Sequence, residues 1–511
     1  MSLCKQFNNW SIPKDKKKLS VVRGLRACFR SQQKLCFQAF YSFSETGSVW
    51  LMIPGIGFFY SGMTREKNAL SLIMCSVLSL VVVSIQWFVL GYSLTFSKTT
   101  VSSMIGNLDN AFFRNVLGEP SIGSPKIPDI VFCAYQGMFA ALTPALVIGS
   151  AAERGRLLPM ILFMFIWSTL VYDFIVYAAW GIHGWSGQLG SLDFAGGTPV
   201  HITSGFSSLA YTIILGKRHD RNFKPHHVSN VVLGTALLWF GWFGFNGGSA
   251  LAGNARAAMA CVVTHLSACT GAITWMCLDY YYRTHHKFSA LGFCSGAVAG
   301  LVTITPGSGF VSPISAIVIG FLGAIFCYIA VHLKDRMCFD DSMDVFAIHG
   351  VGGYVGSLLT GIFADPSIVA LDGHSSPPQI AGGWVYGHHW MQVPIQLAEA
   401  TAGAAWSFTI TYIVLYIMDH IPGLSLRVDH QVELDGLDIT EIGELAYSQV
   451  DTLFFNGDNQ RIVSKVVDRT EVSVNEGVMI TDEKDIDNTN TNTTNNNSNA
   501  SLSLQHTTAL N

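Results

Sequence analysis

Charged side chains are scarce in this chain. Lys, Arg, Asp and Glu together make up 13% of its 511 residues, whereas hydrophobic residues make up 50%. A soluble protein carries about a quarter charged residues on average, so the charges present here are too few to cover a water-exposed surface. The mean hydropathy of +0.37 agrees. The sequence therefore predicts a protein of the lipid bilayer, and we expect no nucleic-acid partner.

Sequence signatures of catalysis and of metal binding are also missing. The eleven cysteines are scattered without a CxxC pair, and there is no GxSxG or HExxH motif. Adjacent histidines occur at 226–227, 285–286 and 388–389, but neighbours in sequence point apart on a helix. We therefore expect no enzyme activity, no cofactor and no bound metal.

Long apolar runs, in contrast, are abundant. Several exceed the roughly 20 residues that a helix needs to cross the hydrocarbon layer, and none alternates like a barrel strand. We therefore predict an all-α polytopic membrane protein with eleven transmembrane helices. They lie near 44–62, 69–96, 129–150, 157–180, 198–216, 228–248, 255–282, 288–305, 311–333, 343–363 and 393–418.

The loops between these helices carry an orientation signal. Clusters of Lys and Arg fall in alternate loops, which predicts that those loops are cytoplasmic. The clusters lie at 65–67, 154–156, 217–224, 283–287 and 334–336. With eleven spans, the N-terminus is then outside and the C-terminus is cytoplasmic. The basic charge of the first 43 residues favours the opposite side for the N-terminus, and the sequence leaves this conflict open.

Composition divides the chain into four parts. Residues 1–43 are a basic N-terminal extension of open status, and 44–418 form the eleven-helix membrane domain. Residues 419–450 keep hydrophobic residues and glycines, and we expect a cytoplasmic regulatory segment that docks on the loops. Residues 451–511 are acidic and rich in Asn and Thr, a composition typical of a disordered tail.

Two histidines stand in apolar, glycine-rich runs. His201 lies in FAGGTPVHITSG and His349 in FAIHGVGGYVGS. A single intramembrane histidine is more often a packing residue, but ionisable residues in spans also mark pathways. Both histidines begin the pattern His-x-x-x-Gly, one in the fifth span and one in the tenth. We therefore predict an inverted repeat of spans 1–5 and 6–10, with span 11 added, and contact between the two rings.

A pair of neutral imidazoles can pass a proton or guide a small amine, because one ring nitrogen accepts a proton while another donates one. An entering cation also needs a binding site that is not too strong. Trp180 offers a ring face, Ser249 offers a hydroxyl oxygen, and Phe139 with Phe245 could form an apolar constriction. Each of these residues alone is more often structural, since 12% of the chain is aromatic.

Six stretches of the sequence carry a resemblance to a known family. They are YQGMFA, DFAGGTPVHITSG, WFGWFGFNGGSALAGN, CSGAVAGLVTITPGSGFV, DVFAIHGVGGYVGSLLTGIFA and GLDITEIGELAY. Their order and types resemble the ammonium transporter, methylammonium permease and Rhesus protein family from about residue 50 to 447. Within that family the chain looks like the fungal ammonium permeases that keep both pore histidines.

The resemblance implies a role for each candidate residue. It implies recruitment of ammonium or methylammonium at Trp180, Ser249 and Phe139, a gate of Phe139 and Phe245, a pore with a proton relay at His201 and His349, and a structural acid at Asp193. Ammonium would lose its proton at the gate and cross as ammonia, while the proton passes over the histidines, so transport would be electrogenic. Trp185 is a second tryptophan in the same stretch, which leaves the choice of Trp180 open.

The resemblance also implies a homotrimer in the plasma membrane, a nitrogen-sensing role, and kinase or signalling partners at the cytoplasmic tail. Two alternatives remain. A proton-coupled carrier of another small solute would also use paired repeats with titratable groups, and uptake of methylammonium separates it from an ammonium permease. A membrane receptor would bind ammonium without conducting it, and current in liposomes separates that class.

Overall fold

The structure, a computed structural model, is almost entirely helical. It describes residues 16–221, 224–283, 286–334, 336–337, 339–373, 380–447, 454–455 and 461–462, with side chains only between residues 37 and 447. The α-helices are α1 Lys16–Met63, α2 Ala69–Gln86, α3 Tyr92–Phe96, α4 Asp129–Ile148, α5 Leu157–Trp167, α6 Asp173–Trp180, α7 Trp185–Leu189, α8 Thr203–Leu215, α9 Val228–Trp242, α10 Ala255–Tyr282, α11 Ala290–Ile304, α12 Pro313–Lys334, α13 Val351–Phe363, α14 Pro366–Val369, α15 Trp384–Gly387, α16 Gln392–Asp419 and α17 His430–Asp435.

Short segments of other helical types adjoin several of these helices. The π-helical segments are Trp87–Gly91, Ser168–Tyr172, Gly197–Ile202, Phe243–Gly247, Phe346–Gly350 and Asp438–Ile442. The 3₁₀ segments are Glu66–Asn68, Ala111–Phe113, Gly149–Ala151, Thr305–Gly307 and Ala370–Asp372. Because a π turn widens the helix locally and is frequent at functional sites, these segments are the places where side chains can be re-aimed.

Nine helical stretches of the described residues are long and apolar enough to cross a membrane. They are Glu66–Phe96, Asp129–Ala151, Leu157–Leu189, Val228–Gly247, Ala255–Tyr282, Ala290–Gly307, Pro313–Lys334, Phe346–Phe363 and Gln392–Asp419. The helical membrane fold predicted from the sequence is confirmed. The remaining predicted spans, 44–62 and 198–216, also fall on helical residues, and the count of eleven stays a prediction.

The first helix is longer than the predicted first span. It runs without interruption from Lys16 to Met63, so no end of a helix marks the predicted boundary between residues 43 and 44. Residues 1–15 of the extension lie outside the described residues. Helix α1 packs against α9, α2 and α4, which places it against the helices that surround both histidines.

The C-terminal part is described separately. In residues 449–511, strand β1 Phe454–Phe455 pairs antiparallel with β2 Arg461–Ile462. The rest of the predicted disordered tail lies outside the described residues. The prediction of a disordered tail therefore stays a prediction.

Charged residues gather at one end of the helix bundle, which we call the inner end. Glu153 is buried there and contacts Arg65 at 3.0 Å and Arg218 at 2.8 Å, and Arg218 also contacts Asp340 at 2.8 Å. Burial alone would raise the pKa of Glu153, but Arg218 and Arg65 hold that pKa below its ordinary value. These contacts join four loops of the inner end in one network.

The segment after α16 folds back onto the same loops. Both carboxylate oxygens of Asp438 accept backbone N–H groups at the start of α2, from Leu70 and Ser71. An acidic side chain at this position satisfies unpaired amides and complements the helix dipole. Glu441 likewise accepts the N–H of Leu157 at the start of α5. The docking expected for residues 419–450 is therefore present for the described part, up to residue 447.

Candidate functional site

The two histidines are in contact. His201 lies in the π-helical segment before α8, and His349 lies in the π-helical segment before α13. Their Nδ1 atoms are 3.2 Å apart, and the ring centroids are 5.3 Å apart. This short distance depends on Gly205, since a Cβ placed there would overlap the backbone of Gly350. The contact expected from the repeated His-x-x-x-Gly pattern is therefore present.

Both rings line a narrow apolar cavity of about 20 Å³. Its lining residues are Met52, Ile56, Phe59, Tyr60, Leu142, Leu146, His201, Leu238, Trp242, Val298, Met343, Ile348 and His349. His201 is 1% exposed and His349 is 6% exposed, and Nε2 of His201 has no hydrogen-bond partner among the described residues. The cavity has room for a water-sized molecule, and the imidazoles are the main polar groups that such a molecule would meet.

Aromatic rings close one end of this cavity. Phe139 of α4 stacks on Phe245 at a centroid distance of 4.2 Å and an interplanar angle of 25°. Phe245 in turn stacks on His201 at 5.9 Å, and Trp242 does so at 5.4 Å. The rings of Phe139 and Phe245 are fully buried. The expected apolar constriction is thus a stacked pair that leads directly to the first histidine.

Tyr135 fixes the position of this aromatic pair. Its hydroxyl group lies 2.9 Å from the carbonyl oxygen of Gly244 and 2.8 Å from that of Phe245, and it can donate to either one. Both carbonyls belong to the π-helical segment after α9, where the widened turn leaves backbone acceptors for side chains. No pattern in the sequence indicates this role of Tyr135.

A larger cavity of about 570 Å³ lies beyond the stacked rings, and we call it the outer cavity. Trp180, Ser249 and Asp193 all line it, whereas Trp185 is not among its lining residues. Trp180 also packs edge-on against Phe139, at 6.2 Å and 80°. The geometry therefore places Trp180, and not Trp185, beside the aromatic pair.

The hydroxyl of Ser249 is oriented by its neighbours. It donates to the carbonyl oxygen of Phe245 at 2.8 Å, and its oxygen lies 3.3 Å from the hydroxyl of Tyr135. Because a hydroxyl has one hydrogen to donate and two lone pairs, a donated hydrogen leaves the oxygen available as an acceptor. Ser249 can therefore accept a hydrogen bond from a donor in the outer cavity.

Asp193 organises the start of the segment that carries His201. Its carboxylate accepts the backbone N–H groups of Gly196, Gly197 and Thr198 at 2.8, 2.7 and 2.6 Å. Gly196 has φ +109°, a conformation that favours glycine. Burial raises the pKa of Asp193, while the hydrogen bonds from the three backbone N–H groups lower it. The backbone oxygen of Asp193 also accepts the indole N–H of Trp180 at 2.9 Å.

Comparison with known proteins decides the family. The profile of the Ammonium Transporter Family matches residues 41–447 of this chain. The chain belongs to the Ammonium Transporter Family. Ammonium transport across a membrane is therefore the function of this transporter, as the resemblance in the sequence predicts.

Similar proteins come from fungi. Ammonium transporter 1 of Schizosaccharomyces pombe is 53% identical over 412 residues, which cover 80% of this chain and 82% of the relative. Ammonium transporter MEP2 of Saccharomyces cerevisiae is 49% identical over 412 residues, with 79% and 82% covered. The crystal structure of Candida albicans Mep2 superposes with a TM-score of 0.73 at 49% identity, covering 77% of this chain and 86% of that chain.

The transporter has a buried acid near Asp193 that the sequence reasoning missed. Glu399 of α16 is 2% exposed, and neither carboxylate oxygen has a hydrogen-bond partner among the described residues. One turn earlier, Gln396 binds the backbone N–H and carbonyl of Leu192. The sequence feature that could have indicated this residue is a glutamate inside an apolar predicted span.

A charge pair in the outer cavity was also missed. Arg256 lines this cavity and contacts Asp372 at 2.8 Å. The guanidinium group lies over the ring of Phe194, 4.8 Å from its centroid. Asp372 therefore neutralises a positive charge in the outer cavity. No pattern in the sequence links Arg256 with Asp372, because they are more than a hundred positions apart.

Proposed function

We propose that this transporter recruits ammonium as a cation in the outer cavity, removes its proton at the aromatic pair, and conducts ammonia through the apolar cavity while the two histidines relay the proton. The observation that supports this mechanism most directly is the contact between His201 and His349 in a cavity of about 20 Å³. Net movement of one positive charge per ammonium follows from it, so that transport is electrogenic.

Recruitment uses weak groups of complementary kinds. The ring face of Trp180 attracts a cation by about 0.5–2 kcal/mol, and the oxygen of Ser249 accepts a hydrogen bond from ammonium. Phe139 contributes the inner edge of the site through its contact with Trp180. None of these groups carries a full counter-charge, so the cation is not held too strongly to move on.

Deprotonation at the aromatic pair follows from desolvation. A bare cation in an apolar bore loses its hydration without replacement ligands, which costs many kcal/mol, whereas neutral ammonia loses far less. Phe139 and Phe245 shut out water at the point where the cavity narrows. Potassium has no proton to release, so the same barrier rejects it.

The histidine pair provides a separate path for the proton. If one ring donates its Nδ1 hydrogen to Nδ1 of the other, the first ring has a bare Nε2 acceptor and the second ring has an Nε2–H donor. A proton taken up at the first Nε2 can then leave from the second. Asp193 acts as a positioning residue, because it holds the start of the His201 segment through three amides.

We further propose a plasma-membrane homotrimer with its N-terminus outside and its C-terminus cytoplasmic. The network of Arg65 and Arg218 at the inner end supports this orientation, since basic loops are retained in the cytoplasm. Large apolar side chains such as Trp50, Phe240 and Phe321 are exposed on the single chain, and lipid or neighbouring subunits would cover them. The nitrogen-sensing role and the partners of the tail stay predictions.

Growth and current together test the mechanism. A host without ammonium permeases should grow on low ammonium when it expresses the parent chain, and purified parent protein in liposomes should carry an ammonium-dependent current. The variants His201→Ala and His349→Ala should conduct differently or lose selectivity. Growth without current would favour neutral gas conduction, binding without either would favour the receptor, and failure to take up methylammonium would favour a carrier of another solute.

A further inference from the structure

The two histidine segments begin in the same way. An aspartate stands eight residues before each histidine, Asp193 before His201 and Asp341 before His349. Oδ2 of Asp341 accepts the backbone N–H of Phe346 at 2.8 Å, so Asp341 holds the start of the His349 segment as Asp193 holds the other. In an inverted repeat, corresponding residues lie at opposite faces of the membrane. Asp341 is therefore the inner counterpart of Asp193.

The two carboxylates differ in how many of their oxygens accept hydrogen bonds from the described residues. Both oxygens of Asp193 accept amide hydrogens, whereas Oδ1 of Asp341 has no hydrogen-bond partner among the described residues. Asp341 is only 1% exposed. A buried carboxylate oxygen without a partner is costly unless a donor arrives, so this oxygen is available for a donor that passes through the protein.

A second cavity, lined by Asp341, lies next to the pore cavity in the chain. Asp341, Ser342 and Met63 line an inner cavity of about 250 Å³. The next residue in sequence, Met343, lines the narrow cavity together with His349, as does Tyr60, which lies three residues before Met63 on α1. Adjacent residues, Ser342 and Met343, therefore line the inner cavity and the pore cavity, which places the inner cavity on the side of the histidine pair towards the inner end.

We propose that Asp341 forms an inner ammonium site, where its carboxyl group returns a proton to ammonia and holds the resulting ammonium ion. The proposal rests on the proposed function above. The carboxylate takes the proton that the histidine pair releases, which gives a carboxylic acid. That acid then donates the proton to ammonia, so one proton and one ammonia leave as ammonium and the carboxylate is restored.

The charges around Asp341 suit this exchange. Burial raises its pKa to about 6, Asp344 adds to the rise, and Lys334 together with the amides of Phe346 and Val345 opposes it. Lys334 is itself paired with Asp344, and Arg218 is paired with Asp340 and Glu153. Arg221 on the cavity wall and Tyr60 on α1 complete the titratable groups that face this site. Proton uptake and release are therefore both accessible near neutral pH.

The test compares Asp341→Asn with Asp344→Asn in liposomes. Asparagine at 341 keeps an oxygen for the Phe346 amide but removes the titratable acceptor. Asp344 belongs to the same loop, pairs with Lys334 and has φ +58°, which asparagine tolerates, so it is a matched control. Ammonium currents are recorded from pH 5 to 8 with equal pH on both sides, alongside the parent and Asp341→Glu.

We expect the parent to lose current as the pH falls through about 6, because protons from the medium then keep Asp341 in the acid form. Asp344→Asn should show the same step at a lower pH, because the charge of Asp344 contributes to the raised pKa of Asp341. Asp341→Asn should lack this step and carry about tenfold less current at pH 7, since a positioned proton-transfer group contributes at least that much. Its half-saturating ammonium concentration should match that of the parent, because the outer site is intact. Asp341→Glu should restore part of the current.

An Asp341→Asn protein that keeps both the pH step and the current of Asp344→Asn would overturn the inference. If Asp341→Asn does not fold, as judged by gel filtration, Asp341→Ser is the second variant, because serine also caps a helix start. A parent protein without current would instead reject the proposed function. The two failures are therefore distinguishable.

Discussion

The outer cavity and the pore cavity adjoin each other but differ in size and chemistry. The outer cavity has a volume of about 570 Å³, and its lining includes four charged groups, namely Lys126, Asp193, Arg256 and Asp372. The pore cavity has a volume of about 20 Å³ and is lined by aliphatic and aromatic side chains around the two histidines. The stacked rings of Phe139 and Phe245 lie between Trp180 of the outer cavity and His201 of the pore cavity.

In the proposed mechanism this contrast separates the cavity that suits ammonium from the cavity that suits ammonia. A hydrated cation fits the outer cavity, because the cavity has a volume of about 570 Å³ and acceptor oxygens in its wall. In the pore cavity a cation would lose those ligands, and only a neutral molecule of the size of ammonia is accommodated at low cost. In the proposed mechanism the proton and the amine separate at the boundary between the two cavities, so changes on either side should affect different measurements.

The largest effect should come from removing both titratable rings of the pore cavity. We expect the double variant His201→Ala and His349→Ala to reduce the ammonium current by about 100-fold or more, because a positioned proton-transfer group typically contributes 10²–10⁴-fold. Neutral ammonia should still enter liposomes, as measured by the rise in internal pH. His183→Ala is the control, since His183 is exposed and should leave the current unchanged. An undiminished current in the double variant would remove the histidines from the proton path.

The second prediction concerns Asp193 at the start of the His201 segment. Asp193→Ala leaves three backbone amides without their acceptor, and we expect the free energy of unfolding to fall by about 2–4 kcal/mol. Transport should fall with it. Asp193→Asn keeps an acceptor oxygen and should unfold within a few degrees of the parent in a thermal scan. Equal stability of the alanine variant and the parent would show that the His201 segment does not depend on this carboxylate.

The third prediction is confined to the outer cavity. Trp180→Leu should raise the half-saturating ammonium concentration by about 2- to 10-fold, because it removes a cation–π attraction of about 0.5–1.4 kcal/mol. The maximal current should change less, since the pore cavity is intact. Trp185→Leu is the matched control and should behave like the parent. The reverse result would assign recruitment to Trp185.

The smallest effect should come from the charge pair of the outer cavity. Asp372→Asn leaves the charge of Arg256 unpaired beside an incoming cation. We expect the half-saturating concentration to rise by less than about threefold at physiological salt, because salt screens the repulsion between Arg256 and the cation across the cavity. The rise should grow as the ionic strength is lowered. A salt-independent change would point to altered loop structure instead of repulsion.

The sequence predicted the elements whose signal is local or repeated. Apolar length predicted the helices, and the shared His-x-x-x-Gly pattern predicted that His201 and His349 meet. Both signals are contained in short runs of residues. The roles of Trp180, Ser249 and Asp193 came from resemblance, and the structure now gives each of them a place around one cavity.

The remaining features depend on contacts between distant parts of the chain. Nothing in the sequence shows that Tyr135 reaches the carbonyls of the Phe243–Gly247 segment, or that Arg256 pairs with Asp372. Glu399 and Asp341 were visible as acids, but their missing partners are a property of the packed interior. The long α1 was missed for another reason, since its first residues are basic and give no apolar periodicity.

The close approach of Gly205 to Gly350 sets the distance between the two histidine rings. Two non-bonded carbon atoms need about 3.5–4.0 Å between them, and a methyl group at Gly205 would have far less room than that. The backbones would have to separate, and the 3.2 Å between the ring nitrogens would lengthen with them. In the proposed mechanism, proton transfer between the histidines therefore depends on the absence of a side chain at Gly205.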